Sequence, residues 1–178
     1  RNGLPKADRA IKKGVLAWGH KKRNAPTDRG LIMQVNKPQD AYVQVDQVQW
    51  QDFPEQFHSG GVKWKLLHVS PEFGIWTVMF FCPDQSTLAP HIHHGPAEGY
   101  VFDGILELRG GPDKGGALCI KHGYLYEATG AEHETTKMLA DTTFILQMVG
   151  PISWLLEDGT QLNQTWLDAQ NLWNQQTK

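Results

Sequence analysis

The stretch His91-Ile92-His93-His94-Gly95-Pro96-Ala97-Glu98 decides how the rest of the chain is interpreted. Successive side chains of an extended strand point to opposite faces, so His91 and His93 share one face. Two imidazoles placed in this way can bind one metal ion, and a carboxylate, Glu98, follows after a Gly-Pro turn. A third isolated histidine, His133, lies further along the chain. We therefore predict a mononuclear metal site of His91, His93 and His133 inside a small β-barrel, and the spacing leaves open whether Glu98 is a fourth ligand.

Composition indicates one globular domain with a substantial core. The chain has 178 residues, of which 40% are hydrophobic, and no apolar run is long enough to span a bilayer. It shows no secretory signal pattern, so we expect a soluble, cytoplasmic protein without a membrane partner. Cys82 and Cys119 belong to no Cys-x-x-Cys motif. We predict two free thiols, which argues against thiolate zinc ribbons and redox motifs.

The charge distribution separates an N-terminal extension from the rest. Residues 1–30 hold nine of the 17 Lys and Arg residues, and the net charge of the chain is −2. A basic arm can bind nucleic acid, but stacking aromatics are nearly absent here, so we predict a solvated arm and no nucleic-acid partner. A weak helical spacing covers residues 4–18. We place a basic extension at residues 1–40 and a single β-domain at residues 41–178.

The hydrophobic period becomes two from about residue 41, which is typical of half-buried strands. The pattern predicts strands at 42–46, 62–66, 73–82, 91–93, 100–102, 105–109, 117–120, 124–127, 135–139, 143–149 and 153–156. Asp158-Gly159 predicts a tight hairpin, and a C-terminal helix begins near Thr165. Segment 73–82 is apolar on both faces, which predicts burial in a sandwich or at a subunit interface, and hence a homodimer or homotetramer. So many short strands predict an all-β barrel or jelly roll.

Two spaced motifs resemble those of the cupin superfamily. The first, His-x-His-x4-Glu-x5-Gly, corresponds to His91, His93, Glu98 and Gly104. The second, Gly-x4-Pro-x-Gly-x-x-His, runs from Gly123 to His133 with an alanine in place of the proline. The resemblance implies a cupin jelly-roll barrel, here with the N-terminal extension and the C-terminal helix added.

Longer stretches between residues 53 and 173 resemble the acetylacetone dioxygenases, a family of diketone-cleaving iron cupins. The resemblance rests on Phe53-Pro54-Glu55-x-Phe57, Gly60-Gly61-Val62-x-Trp64-x-Leu66-Leu67-His68-x-Ser70-Pro71-Glu72, Glu107-x-Arg109-Gly110-Gly111, Gly150-Pro151 and Asp158-Gly159. It implies Fe(II) held by the three histidines, with Glu98 nearby but not bound. It also implies a β-diketone enolate, or a related ketone, that reacts with O2 and is cleaved at a carbon–carbon bond.

The same resemblance suggests residues that act beside the metal. Arg109, Glu127 and Thr136 match positions on the polar side of that family's cavity, and Glu98 completes the set of catalytic candidates. A cation such as Arg109 favours an enolate, and a carboxylate such as Glu127 can take or orient a proton. Strand parity, however, puts Arg109 on the same face as Glu107, so a surface ion pair is the alternative interpretation of Arg109.

Departures from the family concern the wall of the substrate pocket. Leu88, Gly99 and Met148 stand where the family has aromatic residues, whereas Phe144 is kept and Tyr100 is a candidate to fill part of the gap. We therefore expect a changed cavity and a substrate bulkier than acetylacetone.

Other functions and metals fit the same ligand set. Three histidines also suit zinc or nickel. A zinc-binding regulatory module of the anti-sigma-factor type and a metal-dependent isomerase or hydrolase are the alternatives to a dioxygenase.

Overall fold

The computed structural model describes residues 41–176. The predicted basic extension at residues 1–40, with its helix at 4–18, lies outside this range. Within residues 41–176, no helix is long and apolar enough to cross a membrane.

Fifteen strands in the described part of the chain pair antiparallel in three sheets. The six-stranded sheet has the order β1 (Gln51–Asp52), β3 (Lys63–Ser70), β4 (Ile75–Cys82), β13 (Thr142–Val149), β7 (Ala97–Asp103) and β10 (Tyr124–Glu127). The four-stranded sheet has the order β11 (Glu132–His133), β6 (His91–His93), β14 (Ile152–Leu155) and β15 (Gln161–Gln164). The five-stranded sheet has the order β2 (His58–Ser59), β5 (Thr87–Leu88), β12 (Thr136–Met138), β8 (Ile105–Leu108) and β9 (Ala117–Ile120). The single helix among these residues, α1, is Trp166–Gln176. The predicted all-β fold with a C-terminal helix is therefore confirmed.

The largest error in the predicted elements lies at residues 42–46. No strand forms there; Val45–Gln47 is a short 3-10 helix, and Tyr42 is 93% exposed. Alternation alone does not make a strand when no neighbouring strand pairs with it. Four strands of only two residues, β1, β2, β5 and β11, were not predicted, because periodicity is not visible over two residues.

Aromatic side chains form the centre of the core. The ring of Phe53 lies 5.4 Å from Trp64, 5.1 Å from Phe80 and 6.0 Å from Trp154. All four side chains are buried, so they remove a large apolar area from water and join strands of different sheets. Cys82 and Cys119 are free and buried, as predicted.

Strand β4 alternates between fully and partly buried side chains. Trp76, Val78 and Phe80 point into the core, whereas Met79 and Phe81 lie half-buried on the opposite face. The outer face of the six-stranded sheet therefore carries apolar side chains. A homodimer or homotetramer formed through this face stays a prediction.

Helix α1 begins at a capping motif and packs on the barrel. The hydroxyl of Thr165 accepts a hydrogen bond from the amide of Asp168 (3.3 Å), and the Asp168 carboxylate accepts one from the amide of Thr165 (2.8 Å). This reciprocal pair satisfies amides that the first turn leaves without partners. The buried Trp173 meets Trp64 of β3 edge to face at 5.6 Å, so the helix packs against the six-stranded sheet.

Replacing Gly104 with alanine is expected to destabilise the fold by about 3 kcal/mol. Its φ of +87° costs an alanine roughly 1–2 kcal/mol. An added Cβ would also lie 2.5 Å from the Cα of Thr142, which adds roughly 1–3 kcal/mol of overpacking. Gly159 is a matched control, because its φ is +82° but no atom lies within 4 Å of an added Cβ. Urea unfolding should show about twice the loss for Gly104→Ala, and equal losses would contradict the steric argument.

Candidate metal centre

Two strands bring the three predicted histidines together. Strand β6 pairs with β11 so that His91 lies opposite His133, while His93 follows on the same face of β6. The ring centroids are 5.1 Å apart for His91 and His93, 4.8 Å for His91 and His133, and 5.3 Å for His93 and His133. One ring nitrogen from each lies within 4.8 Å of the others, and all three side chains are buried. These distances allow a single metal ion to contact all three imidazoles.

The orientation of the His91 ring is set by its surroundings. Its Nδ1 lies 2.8 Å from the carbonyl oxygen of Ala89, which places the proton on Nδ1 and leaves Nε2 for a metal. The ring of Trp154 lies 4.8 Å away, and its Nε1 donates to Oε1 of Gln164 (2.8 Å). The hydrogen bond to Gln164 fixes the Trp154 ring, and this ring in turn restricts the movement of the His91 ring.

Burial keeps His91 and His93 in the form that binds metals. Burial, together with the neighbouring His133, lowers the pKa of His91 to about 3 and the pKa of His93 to about 4. Both imidazoles are neutral near pH 7, and neutral imidazole is a metal ligand.

His133 supplies an observation that fits a bound ion. Neither of its ring nitrogens has a hydrogen-bond partner among the described residues, although the side chain is buried. An unpaired buried polar atom costs roughly 1–3 kcal/mol, which a metal–nitrogen bond would offset. Three imidazoles suit iron, zinc, copper or nickel.

A carboxylate and a guanidinium lie beside this histidine. Oε2 of Glu127 lies 3.1 Å from Nε2 of His133 and 3.5 Å from Nη2 of Arg109. Burial by itself raises the pKa of Glu127, but the nearby His133, His93 and Arg109 lower it overall. Glu127 is therefore ionised at neutral pH.

The backbone of Arg109 explains how this side chain reaches Glu127. Strand β8 ends at Leu108, and Arg109 adopts a positive φ of +52°. The parity that would pair Arg109 with Glu107 no longer applies beyond the end of the strand. Arg109 therefore pairs with Glu127, and not with Glu107 as the alternative interpretation had it.

The histidines face a small chamber that is mostly apolar. Its volume is about 30 Å³. Besides the three histidines, Glu127 and Thr136, it is lined by Leu88, Leu106, Leu108, Leu125, Phe144 and Leu146. Leu88 and Phe144 were named from the sequence, whereas the other four leucines were missed. Strand parity offered one signal, because Leu125 is two residues before Glu127 and must share its face.

Three other pocket candidates do not line this chamber. The side chain of Tyr100 points outward, and its hydroxyl lies 2.9 Å from Nδ1 of His122, so it does not fill the predicted gap. Met148 is buried elsewhere in the core. A Cβ added at Gly99 would lie 3.0 Å from a methyl carbon of Leu146 and 3.2 Å from Leu125. Those two leucines already occupy the space that an aromatic side chain would need, so the expected enlargement at Gly99 does not occur.

The expectation that Glu98 lies near the metal is corrected by strand β7. Ala97 and Gly99 are buried, while Glu98 between them is exposed, opposite the exposed Tyr126 of β10. The two-residue period therefore points the carboxylate of Glu98 away from the histidines. It is the carboxylate of Glu127 that lies beside them.

Antiparallel sheets that enclose three buried imidazoles within reach of one metal ion are the architecture of a cupin-type metal-binding protein. Its sequence matches the profile of the ChrR cupin-like domain over residues 38–153. The chain belongs to this cupin family.

Relatives of known identity agree with this assignment. An acetylacetone-cleaving enzyme from Acinetobacter johnsonii is 36% identical over 135 residues, which are 75% of this chain and 88% of the relative. The crystal structure of an acetylacetone dioxygenase from the same species superimposes with a TM-score of 0.75 at 34% identity, covering 81% of this chain and 97% of that one. A structure from Methylibium petroleiphilum PM1, assigned provisionally to the same enzymes, gives a TM-score of 0.73 at 42% identity, covering 79% and 99%. The chain is thus similar to diketone-cleaving dioxygenases along most of their length.

Proposed function

We propose that this protein is an Fe(II)-dependent dioxygenase that cleaves a carbon–carbon bond in an enolisable β-diketone or a related ketone. The observation that carries the proposal is the cluster His91, His93 and His133, buried and open to a chamber, in a chain 36% identical to an acetylacetone-cleaving enzyme. Held by His91, His93 and His133, iron would supply the chemistry that activates O2 toward the enolate. Zinc and nickel are the alternative occupants.

Glu127 is the base in this proposal. Its carboxylate lines the chamber, lies 3.1 Å from a proposed ligand and is ionised at neutral pH. A carboxylate in this place can accept the proton that a β-diketone loses from the carbon between its carbonyls. His133, then His93 and Arg109, keep the pKa of this carboxyl low, and Arg109 pairs with it at 3.5 Å.

Thr136 is the candidate to orient the substrate. Its side chain is buried and lines the chamber, and Oγ1 has no hydrogen-bond partner among the described residues. A free hydroxyl can donate to a substrate oxygen, which would satisfy both groups. The surrounding leucines leave little room for water in the chamber, which limits hydrolysis of reactive species.

Oxygen uptake by the iron-loaded protein tests the proposed reaction. Protein reconstituted anaerobically with Fe(II) is mixed with pentane-2,4-dione or 1-phenylbutane-1,3-dione, and O2 consumption and carboxylic acid products are followed. We expect about one O2 consumed for each diketone cleaved, with no turnover under nitrogen. Turnover without O2 would instead support an isomerase or hydrolase. A natively purified protein that holds zinc and consumes no O2 with either metal would support a regulatory module.

Glu127→Gln is expected to lower kcat/KM for pentane-2,4-dione by about a hundredfold, the lower end of what a general base contributes. Iron content should stay unchanged, because the three imidazoles are kept. The wild-type rate should fall as the pH drops toward the lowered pKa of Glu127, since protonation removes the base. The residual kcat/KM of Glu127→Gln should not show this decrease at low pH, because the variant has no carboxyl group to protonate at this position.

Glu98→Gln is the matched control for this experiment. It makes the same chemical change at the exposed glutamate of the first motif. We expect unchanged iron content and unchanged kcat/KM. A large loss of activity in Glu98→Gln, or none in Glu127→Gln, would contradict the assignment of the base.

A further inference from the structure

A groove much larger than the metal chamber lies directly outside it. Its volume is about 520 Å³, against about 30 Å³ for the chamber. Its lining residues come from strands β11, β6 and β14, from the residues next to them and from the segment that follows β8. Pro90, Ile92 and Leu155 supply its apolar surface.

The groove and the chamber meet at the proposed reactive groups. His133 borders both spaces. Arg109 lines the groove, and its guanidinium contacts the Glu127 carboxylate, which lines the chamber. Half of the Arg109 side chain is exposed. A molecule in the groove therefore lies next to His133 and to the Arg109–Glu127 pair.

The size of the chamber limits how much of a substrate it can hold. A water molecule needs roughly 10–15 Å³, so the chamber accommodates about two waters. It cannot extend toward Gly99, because Leu125 and Leu146 already fill that side. A dicarbonyl head that reaches the histidines must therefore leave its larger substituent outside the chamber.

The surface of the groove indicates the kind of substituent. Its charged side chains balance in sign, with Arg109 and Lys114 against Glu132 and Glu134. The side chain of Leu155 is 38% exposed and that of Ile92 half-buried, so both offer apolar area that is still in contact with water. A neutral aryl or alkyl group would bury this area without leaving a charge unpaired.

We propose that this groove is the subsite for a neutral apolar arm of a β-diketone whose dicarbonyl head reaches the three histidines. The natural substrate is then an unsymmetrical diketone with one large aryl or alkyl substituent. This inference rests on the proposed function and narrows its substrate class.

The test compares two diketones and two variants of the iron-loaded full chain. Pentane-2,4-dione has only methyl arms, and 1-phenylbutane-1,3-dione carries one aryl arm. Leu155→Glu puts a charge into the groove. Leu162→Glu is the matched control, because Leu162 is 37% exposed on the adjacent strand β15 but lies outside the groove. Anaerobic calorimetry measures Kd, and O2 uptake measures kcat/KM.

We expect Leu155→Glu to weaken binding and kcat/KM for the phenyl diketone by about tenfold, the scale of one apolar contact in a pocket. The values for pentane-2,4-dione should stay within about twofold, and Leu162→Glu should match the wild type for both. Leu155→Ala should give a smaller loss in the same direction. It replaces Leu155→Glu in the test if the charged variant does not fold.

Other outcomes separate the two proposals. If both diketones are cleaved and neither Leu155 variant changes their ratio, the groove is not the subsite, while the proposed function stands. If Leu155→Glu weakens both diketones equally, the effect is general and the subsite is again rejected. If the iron-loaded wild type neither binds nor cleaves either compound, the proposed function fails and the substrate class falls with it.

Discussion

His133→Ala is expected to remove metal binding and with it all diketone cleavage. The three imidazoles lie within 4.8 Å of one another, and two imidazoles alone hold a metal ion much less tightly. Loss of a group that only supports a ligand costs about 10–100-fold in metal affinity, so loss of a ligand should cost more than about a hundredfold. Metal analysis after gel filtration should fall from about one equivalent to near zero, and O2 uptake should fall to background.

His94→Ala is the matched control, because it removes the histidine next to a proposed ligand. His94 is exposed, and its Nε2 contacts the hydroxyl of Ser153 rather than the cluster. Metal content and activity should stay at wild-type levels. Full metal content in His133→Ala, or loss of metal in His94→Ala, would overturn the assignment of the ligands.

Trp154→Ala is expected to lower the free energy of unfolding by about 3–5 kcal/mol, the cost of truncating a buried tryptophan. The indole is 3% exposed and stacks on Phe57 with the ring centroids 4.9 Å apart. Its Nε1 donates to Gln164, whose buried acceptor would then lose its partner. Urea unfolding of the metal-free protein separates this effect from metal binding.

The same substitution is also expected to weaken metal binding by about tenfold. Trp154 lies 4.8 Å from the His91 ring and restricts its movement, and loss of such support typically costs 10–100-fold. Trp50→Ala is the control, because Trp50 is 37% exposed and contacts Lys65 through its ring face. It should cost about 1–2 kcal/mol, between the values of an exposed and a desolvated cation–π contact, because Lys65 is buried while Trp50 is partly exposed, and it should leave metal affinity unchanged. Equal losses in the two variants would contradict a special role for Trp154.

Much of the fold could be predicted from the sequence, because strand parity is a local property. Predicted strands at 91–93, 117–120 and 124–127 match the structure residue for residue. The failure at residues 42–46 has the opposite cause, because pairing with a neighbouring strand is decided by distant parts of the chain. The short strand β11, which carries His133, is defined only by its pairing with β6.

By itself the sequence determined which histidines form the cluster and that they lie on strands of an all-β barrel. Spacing along one strand suffices to place His91 and His93 on the same face, and the motif spacing marked His133. Only the tertiary structure decided which carboxylate joins them. Glu98 points outward from β7, whereas Glu127 comes within 3.1 Å of His133. It also decided that Leu125 and Leu146 occupy the space beside Gly99, and that the larger cavity is lined by other residues next to the chamber. These outcomes depend on contacts between strands far apart in the chain, which no local pattern records.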